Sequence, residues 1–152
     1  MYSFHYFDRQ TRGKVMSPEE NKQVLRRVFD EALTKNQLDV IDELYSDDYE
    51  FESVAVAGVD PNSQGREGFK KRVTAVRSSF EDPQFVIDDI AAENDLVATY
   101  FSLNGKHIAD FAGFAPTNRP VSLKGIHFSR FVDGKIKKTW AGFANVVEAF
   151  SA

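Results

Sequence analysis

The stretch DLVATYFSLNGKH (Asp95–His107), with NRPVSLKGIHFSRFVDGKIKKTWAGFAN (Asn118–Asn145) after it, decides how this chain folds. Val97, Thr99, Phe101, Leu103, Gly105 and His107 alternate with Ala98, Tyr100, Ser102, Asn104 and Lys106. Val121, Leu123, Gly125, His127 and Ser129 alternate in the same way with Ser122, Lys124, Ile126, Phe128 and Arg130. A period of two sends successive side chains to opposite faces of a strand, so each strand commits one set inward. Asn118-Arg119-Pro120 reads as a turn. Asp133-Gly134 reads as the centre of a type I′ hairpin, whose two central residues need positive φ. Ile136–Ala144 then closes an antiparallel meander. On this reading Phe101, His107, His127 and Trp140 share one concave, mostly apolar surface, and function is expected there.

Working outward, Ser17-Pro18-Glu19-Glu20 carries a capping box with proline at the first helical position. Val24, Leu25, Val28, Phe29, Ala32 and Leu33 follow at helical spacing as one apolar stripe. Leu38–Tyr45 reads as a short second helix. Tyr49 and Phe51 suggest a strand with Glu50 and Glu52 on its other face. Ala57–Gly65 is a loop by its Gly, Pro and Asn content. Gly65–Phe80 is a third helix, with Phe69, Val73, Val76 and Phe80 inward and Pro83 ending it. Phe85–Ala91 is a strand. Ala109–Thr117 is a looped insertion in which Phe111 and Phe114 offer an apolar lid, and Val146–Phe150 is a strand end or tail. Residues 1–16 are unlike the rest and stand apart as an N-terminal extension. Residues 17–152 read as one α+β domain, and a curved antiparallel sheet wrapped around the helices would leave a cone-shaped interior.

The composition narrows the function. A chain of 152 residues can bury one sizeable core. A net charge of −4 lacks the basic footprint of a nucleic-acid binder. The cluster Lys70, Lys71, Arg72 and Arg77 reads as a solvated helix face. The absence of cysteine removes disulfides, thiolate nucleophiles and cysteine-held metals. No apolar run approaches the ~18 residues of a membrane span, and the first fifteen residues lack the apolar block of a signal peptide, so a cytoplasmic protein is expected. The 14 phenylalanines suit both a core and a cavity for a flat apolar ligand. No dinucleotide, P-loop or His-Glu-x-x-His motif is present, so neither cofactor nor metal is expected.

An ordered set of signals carries a resemblance. It comprises Glu20-Asn21-Lys22, Asn36-Gln37-Leu38-Asp39, Gly65-Arg66-Glu67-Gly68-Phe69, then His107, Phe111, Gly113, Pro116-Thr117 and Arg119-Pro120-Val121. Gly125-Ile126, Arg130-Phe131, Asp133-Gly134-Lys135-Ile136 and Trp140 complete it. Together they resemble the SnoaL-like polyketide cyclase (ester-cyclase-like) family, within the cone-shaped superfamily of nuclear transport factor 2 and ketosteroid isomerase, over about Pro18–Val147. The resemblance implies an apolar pocket, a small apolar ligand or substrate, and commonly a homodimer through the sheet. In such cyclases an aspartate four residues beyond the tryptophan moves the proton during aldol ring closure; here that position is Ala144. Where the family often carries a histidine after the second helix, Glu52 stands nearby.

The expected chemistry is acid/base proton transfer on a polyketide- or terpenoid-like carbonyl compound, by a cofactor-free cyclase or isomerase. Imidazole is the side chain whose ordinary pKa of ~6.5 exchanges protons near neutrality, which points to His127 and His107. Glu52 in an apolar cone would be desolvated into a better base. Trp140, Phe101, Phe111, Phe114 and Ala144 are expected to line the substrate site. The replacement of the family aspartate by Ala144 leaves a non-catalytic small-molecule-binding protein of the same fold as the alternative. A purely structural dimerisation module would instead fill its hollow with its own phenyl rings.

Overall fold

The computed structural model describes residues 15–54 and 64–151. Most of the N-terminal extension, with His5, and residues 55–63, which include most of the expected loop, lie outside the described residues. Helix α1, Pro18–Arg27, begins as its sequence dictates. The Ser17 hydroxyl accepts from the Glu20 N–H at 3.1 Å, and the Glu20 carboxylate accepts from the Ser17 N–H at 3.3 Å. Two of the end amides that no helical carbonyl can reach are thereby satisfied. Ser17→Ala is expected to lower stability by about 1 kcal/mol, read as a modest fall in thermal midpoint. The helix runs on as π turns over Val28–Thr34, burying Val28, Phe29, Ala32 and Leu33. This stretch carries Phe29 onto the sheet, edge-on to Phe101 at 5.2 Å and to His127 at 5.6 Å.

After α2 (Val40–Leu44), strand β1 spans Tyr45–Ser53 and helix α3 spans Gly65–Ser78. Strands β2 (Phe80–Glu93), β3 (Leu96–His107), β4 (Pro120–Val132) and β5 (Lys135–Phe143) follow. They form one sheet in the order β1-β5-β4-β3-β2. The meander is antiparallel as expected, whereas β1 joins the edge of β5 in parallel. The hairpin turn has Asp133 at φ 53° and Gly134 at φ 78°, as a type I′ turn requires.

Pro83 lies inside β2 rather than after a longer helix. The register slips between Glu81 and Gln84, and Asp82 takes φ 47°, so the strand bends where proline cannot donate to the ladder. The last segment is a helix, α4 (Val146–Ser151), not a strand end. Asn145 fastens it to β4, its side-chain oxygen accepting from the Lys124 N–H at 2.7 Å. Phe150 then drops into the core, because His107, Phe111 and Phe114 offer its ring a seat on the concave side.

A further slip decides which side chains reach the interior. Arg130 opposes Lys138, but Phe131 opposes Ile136, leaving Lys137 as an extra residue on β5. One extra residue reverses the parity of everything beyond it. Ile136 is buried beside Phe131. Past the bulge, Thr139, Ala141 and Phe143 face inward opposite Ser129, His127 and Gly125. Lys138 and Trp140 face outward with Arg130 and Phe128.

Candidate active site

The concave face of the sheet, with Leu33, helix α3 and the start of α4, encloses a cavity of about 590 Å³. Phe51, Phe69, Val73, Val76, Phe85, Phe101, Phe111 and Phe143 supply apolar walls. His127, Arg72, Ser53 and Glu148 bring polar groups to the same lining, and Ala144 lies among them. A hollow of this size is well above the ~300 Å³ lower end of ligand sites, so the interior is not plugged by its own phenyl rings.

His127 stands at the centre of β4, where Thr99 of β3 and Ala141 of β5 flank it across the ladder. It is 5% exposed, and Phe29 covers one side of its ring. Nδ1 lies 3.3 Å from the Ser129 hydroxyl, which lies 3.2 Å from that of Thr139. Ser129 and Thr139 are fully buried, so this file of hydroxyls sits inside the sheet's core. With Nδ1 engaged by Ser129, Nε2 is the nitrogen left for a ligand. Burial, reinforced by the positive charge of Arg72, pushes the imidazole down from 6.5 to about 3. The ring is therefore neutral throughout the physiological range.

His107 points to the same side of the sheet but ends elsewhere. It is fully buried at the far end of β3, with its ring 4.4 Å from that of Phe150 and 5.7 Å from that of Phe80. Nδ1 accepts from the Thr117 N–H at 3.2 Å and meets the Thr117 hydroxyl at 3.3 Å. It does not line the cavity, because Phe111 and Phe150 stand in that part of the cone. The two imidazoles expected to act together are thus not brought together.

Glu52 and Trp140 are also placed differently from expectation. They pair with each other across β1 and β5 on the outer face. Lys138 lies between them, 3.2 Å from the Glu52 carboxylate and 4.8 Å from the centre of the indole. Glu52 is half exposed and ion-paired, not desolvated in an apolar cone, and Trp140 is no pocket wall. Phe51 and Ser53, on either side of Glu52, are the residues of β1 that line the cavity. Phe101, Phe111 and Ala144 do line the cavity. Phe114 backs it instead, packing on Phe150 at 5.3 Å and bridging to Phe111 through paired backbone bonds.

Arg72 is the residue whose environment its composition hides. Its guanidinium carbon lies 3.2 Å from the centre of the Phe51 ring and 5.0 Å from that of Phe69. It is not part of a solvated helix face. The spacing carried the signal: Phe69, Arg72, Val73 and Val76 fall at i, i+3, i+4 and i+7, on one side of α3. Arg77 also turns inward, donating to the carbonyl oxygens of Leu33 and Thr34. Lys70, by contrast, pairs with Asp42 and Glu67 at the surface. Among the described residues no three His, Asp or Glu side chains gather as a metal would need. No described helix is long and apolar enough to cross a membrane.

Comparison with known proteins agrees with this architecture. The family model for SnoaL-like polyketide cyclase matches residues 23–148. Nogalonic acid methyl ester cyclase of Streptomyces nogalater is 30% identical over 115 residues, 74% of this chain and 84% of that protein. Aklanonic acid methyl ester cyclase AcmA of Streptomyces galilaeus is 35% identical over 75 residues, 48% of this chain and 51% of its own length. Among solved structures, wild-type IdmH from Streptomyces antibioticus superposes with a TM-score of 0.70 at 27% identity, covering 86% of this chain and 95% of that one. TsrD from Streptomyces laurentii, at 18% identity, shares the fold with a TM-score of 0.76 over 90% and 98% of the two chains. Element order, open curved sheet and family match agree over most of its length, and the chain belongs to the SnoaL-like polyketide cyclases.

Proposed function

We propose that this chain is a cofactor-free cyclase closing a ring in an apolar, carbonyl-bearing polyketide. The observation that carries the reading is His127: a neutral imidazole, held by Ser129 at Nδ1, on the wall of an apolar cavity of about 590 Å³. In an aldol closure, a carbon beside one carbonyl loses a proton, the resulting enolate attacks a second carbonyl, and the new alkoxide is protonated. Negative charge therefore passes from one oxygen to the other. A preorganised donor in a water-poor site stabilises such charge far better than water does.

With the Ser129 hydroxyl donating to Nδ1, His127 carries its proton on Nε2 and presents it to that oxygen. A base whose conjugate acid has a pKa of about 3 is a weak proton acceptor. His127 thus acts as hydrogen-bond donor rather than as the proton shuttle expected from its type. Glu148, on α4 at the cavity lining, is the carboxylate placed to take the carbon-bound proton in lieu of an acid at Ala144. His107 serves as an aromatic-cage residue and Glu52 as an outer-face ion-pair partner. The outer face, with Tyr100, Ile126, Phe128 and Trp140, is the surface of a homodimer through the sheet.

The test is incubation of the purified protein with nogalonic and aklanonic acid methyl esters, following the ring-closed isomer of unchanged mass by chromatography. Ala144→Asp sharpens it. The backbone there is fixed by the Ala144 N–H donating to the Lys124 carbonyl at 2.7 Å, so the added carboxylate does not disturb the fold. An active cyclase is expected to change in rate by less than about tenfold, since general acid/base help is already supplied. Cyclisation appearing in Ala144→Asp alone would make the natural chain a binding protein.

A further inference from the structure

We propose that Tyr49 is a positioning residue for His127, acting through the hydroxyls of Thr139 and Ser129 to fix which ring nitrogen carries the proton. The inference rests on His127 serving as a hydrogen-bond donor at the cavity, and it names what keeps the ring in that form. Tyr49, Thr139 and Ser129 belong to β1, β5 and β4, which are neighbours in the sheet. All three are at most 1% exposed. Their hydroxyls cross the inner layer toward the imidazole, Thr139 lying 3.2 Å from Ser129 and Ser129 3.3 Å from His127 Nδ1. At the far end the Tyr49 hydroxyl lies against both Thr139 and Arg72. The tyrosine ring packs on Tyr45 at 4.7 Å and on Phe69 at 5.7 Å, which hold its oxygen in place.

The direction of this file follows from what its far end can do. A guanidinium has donors and no acceptor, so the phenol presents its oxygen to Arg72 and turns its single proton to Thr139. Burial raises the phenol above its ordinary pKa and so keeps that proton in place. A hydroxyl that accepts on one side has its one proton for the other. Thr139 therefore donates to Ser129 and Ser129 to Nδ1, which leaves the imidazole proton on Nε2. Hydrogen bonds in such a chain polarise one another in the same sense. Without the tyrosine, two hydroxyls and an imidazole run equally well in reverse. Nδ1–H then donates to Ser129, and Nε2 faces the cavity as an acceptor.

Long-range proton–nitrogen NMR spectra of the isotope-labelled full chain at pH 7.5 tell the two neutral ring forms apart, and the signals missing from His127→Leu identify the ring. The wild-type imidazole is expected to carry its proton on Nε2 in about nine molecules of ten or more, the bias that one ordinary hydrogen bond supplies. Tyr49→Phe keeps the ring and its packing but leaves the Thr139 oxygen to draw a proton from Ser129. About half or more of the His127 rings should then move to Nδ1–H. Thr139→Val should act likewise, and Thr139→Ser, which retains the hydroxyl, should keep the wild-type form. A folded Tyr49→Phe or Thr139→Val chain whose ring stays on Nε2 overturns the proposal and leaves the proposed function standing. Should Thr139→Val fail to fold, Tyr49→Phe decides. A wild-type ring protonated on Nδ1 overturns the proposal together with the donor role of His127. Expected ring forms in a chain that cyclises neither methyl ester uphold the positioning role and sink the proposed function.

Discussion

His127→Leu is expected to fold, to turn over about a hundred- to a thousandfold more slowly than the wild-type chain, and to resist acid better. The rate loss is that of a donor removed from a charge-stabilising site. Folding survives because Ser129 keeps Thr139 as a partner at 3.2 Å when the imidazole is gone. The acid effect follows from linkage. In the unfolded chain the imidazole has its ordinary value of 6.5, and in the folded chain about 3. As pH falls below 6.5 the unfolded state gains a proton that the folded state refuses until about pH 3, so stability is lost across that window. At about 1.4 kcal/mol per pKa unit, the whole loss is about 4–5 kcal/mol, with about 2 kcal/mol gone between pH 6.5 and 5.

That upper part of the window separates His127 from Glu31, Glu43 and Asp48. Ion pairs hold those carboxylates below their usual range, and they act at lower pH. Urea titrations at pH 7, 6 and 5 measure the effect, and the leucine variant should show a flatter profile. A turnover limb near pH 6.5 that disappears in the variant would contradict this account. It would mean that the ring titrates as in water.

Gly125→Ala is expected to cost about 2–3 kcal/mol, the upper range for overpacking a core. A β-carbon built there would meet the ring of Phe101 at 2.5 and 2.6 Å and the carbonyl oxygen of Gly142 at 3.0 Å. The ring cannot simply slide away, since Phe29 lies 5.2 Å from it and Phe143 5.7 Å. Pairing Gly125→Ala with Phe101→Leu should cost clearly less than the two single losses added, because the smaller side chain vacates the collision. Denaturant midpoints of the four proteins in the cycle measure this coupling. Strict additivity would show that the strand accommodates the methyl elsewhere. The same contact bears on activity, for Phe101 lines the cavity and any shift of its ring reshapes it.

These results also show where the sequence was legible. Alternation along Val97–His107 and Val121–Phe131 assigns faces, and His127, Phe101 and Gly125 all lie where it puts them. Strand parity says which side a residue faces, not how far along the cone it lies. That is why His107 faces inward and still ends behind Phe111 and Phe150. Trp140 escapes for a different reason. The extra residue at Lys137 leaves no mark in an Ile-Lys-Lys-Thr-Trp stretch, and only the pairing with β4 reveals it. For Arg72, residue type argued for solvent while position argued for the interior, and position prevailed. Stacking on Phe51 lets a planar cation sit against an apolar wall.

The extra residue at Lys137 works like a switch in the pattern of the closing strand. Ahead of it, even-numbered positions look into the cone; behind it, odd-numbered ones do. Were the same residues paired without that bulge, Lys138, Trp140 and Gly142 would stand in place of Thr139, Ala141 and Phe143 along the wall beside His127. The surplus residue thus reconciles the phase of the hairpin with that of the cavity wall, and loss of Lys137 is expected to straighten the strand while leaving the same side chains turned toward His127.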